Sequence, residues 1–213
     1  VATKLASFSN KTTGFRLGGA IIKNKLFFFL NGEIQRDERP QPFDVKTYTG
    51  ASSAARIDTL YRFLKTAYNY EAGGYVDNPE TVEANRIATK LDWNINAKNK
   101  LSFSYRYNDG FKNNTSRSSN STINFLNNGY EFPSSTNSAS LELNSRLKRN
   151  SSNKLLLTYT NVVDDRGAIG SPFPRVTIND GTGRIIFGTE EFSTGNYLKQ
   201  NNVALFDVFK FYK

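Results

Sequence analysis

Apolar and polar residues alternate with a period of two over several stretches of this chain, and each such stretch predicts a β-strand. In Leu26–Arg36 the alternation separates Leu26, Phe28, Leu30, Gly32 and Ile34 from Phe27, Phe29, Asn31, Glu33 and Gln35. The first set is apolar from end to end, whereas the second is aromatic at one end and polar beyond it. Gly14–Lys23 precedes it as an extended segment, and Lys23-Asn24-Lys25 is a polar break with Asn24 where a turn needs positive φ.

A second hairpin begins near Val82. Ile87, Thr89, Leu91, Trp93 and Ile95 fall on one face, and Arg86, Ala88, Lys90, Asp92 and Asn94 on the other. Asn96-Ala97-Lys98-Asn99 forms the turn, after which Leu101, Phe103, Tyr105 and Tyr107 alternate with Ser102, Ser104, Arg106 and Asn108. Ala139, Leu141, Leu143, Ser145 and Leu147 mark a further strand, KRNSSN its turn, and Lys154–Val163 the next; its consecutive Leu155, Leu156 and Leu157 leave two phases open, of which the one with Leu155, Leu157 and Tyr159 outward is favoured because it continues the aromatic ending at Tyr105. Asn201–Lys213 reads as the last strand. About seven main strands result.

One segment carries the helical period instead. Ile57, Leu60, Tyr61, Leu64 and Tyr68 fall at i, i+3, i+4, i+7 and i+11, with Ser52 or Ser53 as cap and Gly73-Gly74 as the stop. It lies in the long connection Asp37–Asn78. Asp109–Ser135, rich in Asn and Ser, reads as a mobile surface loop. Asp164–Gln200 holds a small hairpin, Val176–Ile178 and Arg184–Phe187 around Asn179-Asp180-Gly181. Asp164-Asp165 and Asn179-Asp180 follow no calcium-loop spacing, so turn chemistry is the reading. Val1–Thr13 is expected to belong to a preceding strand or loop.

Short breaks thus alternate with long ones. Strict alternation of that kind is the habit of outer-membrane barrels, with short turns on one side and long loops on the other. A soluble meander has no reason to place every long connection at one end. No stretch is apolar enough for a transmembrane helix, but a barrel strand needs only about 9–11 residues with every second one apolar.

Composition narrows the chemistry. The 213 residues contain no His and no Cys, which removes disulfides, Cys/His zinc sites, Cys nucleophiles and His-based triads. No catalytic constellation, metal site or cofactor motif replaces them, so the expectation is a non-enzyme without a cofactor. Mean hydropathy is −0.54 although 14% of residues are aromatic, the average that alternating barrel strands with wet loops produce. The net charge of +9 favours anionic surfaces such as lipopolysaccharide. Lys and Arg recur singly along the chain, which reads as a solvated basic surface and not as a nucleic-acid groove. The chain also lacks Met and a signal-peptide pattern at Val1, so the expectation is an internal piece of a longer protein or a processed product.

The run GGAIIKNKLFFFLNGEIQR resembles the GGPI-x-KDKLFFF-x-NYEGQR hairpin of TonB-dependent outer-membrane receptors, in the Oar-like branch common in Bacteroidetes. Ala20 stands for the usual proline, Asn24 for the aspartate, and Gly32-Glu33-Ile34 for Tyr-Glu-Gly. NRIATKLDWNINAKNKLSFSYRYND is similar to the next hairpin of the same family, in the same order. The resemblance implies an all-β fold: an antiparallel meander, residues 1–213, forming part of a transmembrane β-barrel of about 22 strands, with one short helix in a long extracellular loop. It implies a Gram-negative outer-membrane receptor that takes up a scarce ligand, an iron chelate, cobalamin or a glycan. Its partners would be outer-membrane lipid, lipopolysaccharide and the TonB complex, the last through a plug region.

On that reading Leu26, Phe28, Leu30, Ile34, Leu91, Trp93, Ile95, Leu101, Phe103, Tyr105 and Tyr107 face lipid. Ligand contact falls to the long connections, above all to Tyr48, Tyr61, Tyr68, Tyr70 and Tyr75, whose flat rings suit a sugar or chelate, unless they only dock the helix. The alternative is a secreted or surface β-sandwich that binds glycans or another polyanion.

Overall fold

A computed structural model describes residues 6–148 and 150–212. Its strands are β1 (Ser9–Ile22), β2 (Leu26–Arg39), β3 (Glu80–Asn94), β4 (Asn99–Asn114), β5 (Thr122–Asn124), β6 (Tyr130–Lys148), β7 (Ser151–Ala168), β8 (Val176–Asp180), β9 (Gly183–Phe187) and β10 (Asn196–Phe211), and its helix is α1 (Ala54–Tyr68). Seven of the strands form one sheet in the order β1-β2-β3-β4-β6-β7-β10, antiparallel throughout. The fold is therefore an all-β antiparallel meander, and no closed barrel forms among the described residues.

Register decides what the alternation does across strands. Leu91 pairs with Phe28 and with Phe103, Phe103 with Leu141, Leu141 with Leu157, and Leu157 with Leu205. Trp93 likewise continues through Leu26, Leu101, Leu143 and Leu155. Directly paired residues share a face, so the apolar sets are in phase across the sheet and build one belt. The opposite face is polar over its middle strands. Glu33, Arg86 and Asn108 lie abreast on it, as do Asp92, Ser102 and Glu142, a row that runs into Phe27 on one side and Leu156 and Phe206 on the other.

Away from the turns, the charges of the polar face satisfy one another. Arg86 forms an ion pair with Glu33 and donates to Gln35 Oε1 at 2.9 Å and Asn108 Oδ1 at 3.1 Å. Lys90 and Lys100 flank Asp92, and Lys154 meets Glu142 at 2.8 Å. Residues of both sheet edges, Lys23 and Lys25 beside β2 and Val208 on β10, line one groove on this face, so the sheet is concave on its polar side.

The short turns are built locally. Asn24 takes φ 58°, the left-handed conformation that Asn tolerates, and the Lys25 amide donates to the Ile22 carbonyl at 3.0 Å. The Asn96 side chain accepts from the amides of Lys98 and Asn99, both at 2.9 Å, an Asx turn. Gly32 matters for a different reason: a Cβ there would lie 2.5 Å from the Phe15 ring, so its absence lets that ring lie across β2.

The long connections, 40–79, 115–129 and 169–195, all leave the opposite end of the sheet and pack together. Their shared core comprises Phe43, Ile57, Leu64, Tyr70 and Ala72 from the first, Ile123 and Phe125 from the second, and Ile185 and Phe187 from the third. A small sheet, β5-β9-β8, joins the last two connections. We call this unit the cap.

Several expectations are corrected here. The segment 109–135 is no open loop: β4 runs to Asn114, β6 starts at Tyr130, and Ile123 and Phe125 between them are wholly buried. Strands β1, β7 and β10 likewise extend further toward the cap than the alternation indicates, and β1 includes Ser9–Thr13. Helix α1 stops at Asn69, with φ 51°, before Gly73-Gly74. Ile95 lies in the turn after β3 and not in the strand. Val1–Leu5 and Arg149 fall outside the described residues.

Candidate functional site

Two surfaces carry the candidate residues. The first is the belt. Leu26, Phe28, Leu30 and Ile34 of β2, Leu91 and Trp93 of β3, and Leu101, Phe103, Tyr105 and Tyr107 of β4 all fall on the same face by register. Ile95 alone is off it. Among the described residues nothing covers the belt: Trp93 is 41% exposed, Leu157 43% and Leu205 66%, fractions a buried sheet core does not show. Toward the cap the belt ends in polar side chains that meet aromatic tips. Tyr105 Oη donates to Asn137 Oδ1 at 2.7 Å, and Tyr159 Oη to Asn201 Oδ1 at 3.2 Å. Arg36 and Glu83 pair beyond them.

The second surface is the cap. Ser53 begins α1 and its hydroxyl accepts from the Arg56 amide. Ile57 and Leu64 of the helical stripe are buried, and Leu60 and Tyr61 pack against the same core. Of the candidate tyrosines, Tyr70 is 2% exposed and stacks on Phe173 at 4.0 Å, so its ring belongs to the interior. Tyr61 stacks parallel to Phe125 and bonds to Glu71. Tyr75 packs against Phe125 and donates to Asp58 Oδ1 at 2.8 Å. Tyr48 donates to Asp180 Oδ2 at 3.1 Å. Tyr68 differs: it is 59% exposed, with its ring edge-on to Phe63 and Phe173. Tyr68 and the exposed Phe63 are the aromatic faces that these contacts leave open to solvent.

Asp180 is the hub that sequence reasoning assigned to turn chemistry alone. It accepts from the Ser52 amide and hydroxyl, both at 2.9 Å, as well as from Tyr48. Desolvation alone would raise its pKa, but those donors and the nearby Arg56 charge hold it below the usual carboxylate range. The phenols respond in the opposite sense. Burial, then the bond to Asp180, pushes Tyr48 up to about 12, and burial, then the bond to Asp58, does the same to Tyr75. Phenol and carboxylate thus hold the start of α1 against the β8–β9 hairpin.

Tyr61, Tyr70 and Tyr75 cluster around the core, Tyr48 sits at the β8–β9 side, and Tyr68 stands at the end of α1. The residues that sequence reasoning passed over are Phe63, Phe125 and Phe173. Phe63 lies off the helical stripe, and Phe125 sits in an Asn-rich run where one aromatic carries little local signal. Comparison with protein-family models, curated proteins and solved structures finds no match.

Proposed function

We propose that this chain is part of the wall of an outer-membrane β-barrel, in a TonB-dependent receptor that takes up a scarce ligand. The observation that carries the reading is the belt, apolar in phase across neighbouring strands and uncovered, against an ion-paired, hydrogen-bonded opposite face. Hydrocarbon is the environment in which such a belt costs nothing and a concave polar face stays wet. Aromatic side chains with polar tips at the belt's margin suit a membrane interface. The receptor assignment rests on the two hairpins whose sequence resembles that family.

A sandwich would lay a second sheet over the belt. The small sheet β5-β9-β8 instead contributes Ile123, Ile185 and Phe187 to the cap core, so the sandwich alternative gains no support.

This chain has no Cys of its own, so single cysteines introduced into it can be spin-labelled in the full-length protein in bilayers once any cysteines elsewhere are replaced. Labels at 91, 103 and 157 are expected to be relaxed by oxygen, and labels at 90, 104 and 158 by a water-soluble nickel chelate. Equal access of the chelate to both sets would reject the membrane wall. The receptor role is tested by Phe63→Ala combined with Tyr68→Ala, scoring ligand uptake and surface expression separately. Lost uptake with normal expression supports ligand contact at this patch, and normal uptake removes it.

A further inference from the structure

The turn end of the polar face carries a feature that neither belt nor cap uses. One open groove of about 880 Å³ runs across it, lined by the β1–β2 turn, the β3–β4 turn, the end of β6, the start of β7 and the end of β10. Lys23, Lys25, Lys98, Arg146 and Lys210 reach it from four separate stretches of sequence, with Lys100 and Lys154 deeper along the strands. Its lining holds no carboxylate. Asp92 pairs with Lys100 and Glu142 with Lys154, and among the described residues no ion pair engages the other five cations. Cations that look scattered in sequence are therefore gathered by the concave sheet into one field. Five cations without an ion-pair partner among the described residues meet there, in a chain whose net charge is +9.

We propose that this groove docks an acidic polypeptide segment. Its chemistry narrows the occupant. Like charges this close repel one another, and a wet groove of one sign focuses its field on an incoming anion. A phospholipid headgroup would bring acyl chains, yet the belt that could receive them is on the other face of the sheet. Single-stranded nucleic acid is held by stacking bases on aromatic rings, and here Tyr212 is the one aromatic in the lining. What the lining offers besides charge is amide and hydroxyl groups, from Asn24, Asn94, Asn96, Asn144, Asn153 and Ser152. Those groups donate to and accept from an extended backbone, while lysines meet Glu or Asp side chains as point charges.

The groove and its charge stand whether or not the opposite face meets lipid. The test uses the full chain, in detergent micelles where it needs them, with a fluorescent oligoglutamate peptide. Oligothymidylate of equal charge, inorganic phosphate and anionic lipid vesicles serve as competitors. Two charge-reversed variants are compared: Lys23→Glu with Lys98→Glu and Lys210→Glu in the groove, and Lys46→Glu with Arg62→Glu and Arg117→Glu on the cap. The groove variant is expected to lose affinity about tenfold or more, since three favourable contacts become repulsive, and the cap variant about twofold or less. Lys→Gln at the same three groove positions should give an intermediate loss, which separates lost contacts from misfolding. Equal loss in the groove and cap variants would reduce the effect to net charge and overturn the proposal. So would oligothymidylate, phosphate or vesicles that displace the peptide at equal charge concentration.

Discussion

Replacing Phe125 by Ala should loosen the whole cap and leave the pairing of the large sheet intact. The side chain is fully buried at the place where the three long connections meet. Its ring stacks on Tyr61 at 6.5 Å from the first connection and meets Phe187 edge-on at 6.3 Å from the third, with Tyr75 at 5.4 Å. Truncating such a phenylalanine costs about 3–5 kcal/mol, transfer and cavity together. The cap opens more easily by that amount, so amide exchange limited by cap opening accelerates by about 10²-fold to a few times 10³-fold. The assay is hydrogen exchange on the folded protein in detergent or bilayers, read separately for 54–68, 115–129 and 183–187. All three segments should accelerate together, although one residue of one segment was changed, while amides of β3 and β4 keep their protection. Acceleration confined to 115–129 would refute the shared core, and a matching loss in β3 and β4 would refute the separation of cap from sheet.

Arginine at Leu91 or Phe103 should lower the stability of the protein folded in a bilayer by about 2–4 kcal/mol if those positions lie near the midplane, whereas arginine at Ser102 or Ser104 should cost far less. Urea titration in lipid reads the difference, and equal costs on the two faces would reject the alternation. The cap should also respond to pH at both extremes. Tyr48 and Tyr75 are raised from 10.0 to about 12, so their stabilisation is full below pH 10 and lost as pH rises from there toward 12. Asp180 is lowered, so its contribution is full above the ordinary carboxylate pKa and lost as pH falls through the folded value. Exchange of 54–68 against pH checks both limbs, and Asp180→Asn should abolish the acid limb. At the other end of the molecule, Asn24→Val forces a β-branched residue into φ 58°. It should destabilise the β1–β2 hairpin by about 1–3 kcal/mol, measured as a lower denaturation midpoint, whereas Asn24→Gly should not.

The sheet was legible where its two faces differ and illegible where they do not. Between Ile87 and Trp93, or Leu101 and Tyr107, every second residue is apolar or aromatic with few exceptions, and register could only place these sets in phase. Beyond them, toward the cap, β4 continues through Asn113 and Asn114 and β6 starts at Tyr130-Glu131. There both faces are largely polar, so a period of two leaves no contrast to read, and the alternation stops short of the true strand ends. The helix stripe gave Ile57, Leu60, Tyr61 and Leu64 correctly as its packed side, but Tyr68 turned outward as the helix ended at Asn69. The basic groove escaped because its cations are far apart in sequence, and only the curvature of the sheet brings them together.

The cap escaped for a reason of scale. Its nine core residues divide into five from the first connection, two from the second and two from the third, and neither smaller set can bury itself. Two apolar residues in an Asn-rich loop are then indistinguishable from a solvated segment, since loop ordering costs more than they return alone. The meander changes that balance. With antiparallel strands joined in sequence, every second connection leaves the same end of the sheet, so the strands hold the roots of all three loops close before any cap contact forms. The closure entropy of bringing 57, 125 and 185 together is thereby met by strand pairing, and the remaining contacts suffice. Sequence read one window at a time sees the loops without this tether, which is why alternating faces point to the sheet and not to the cap it assembles.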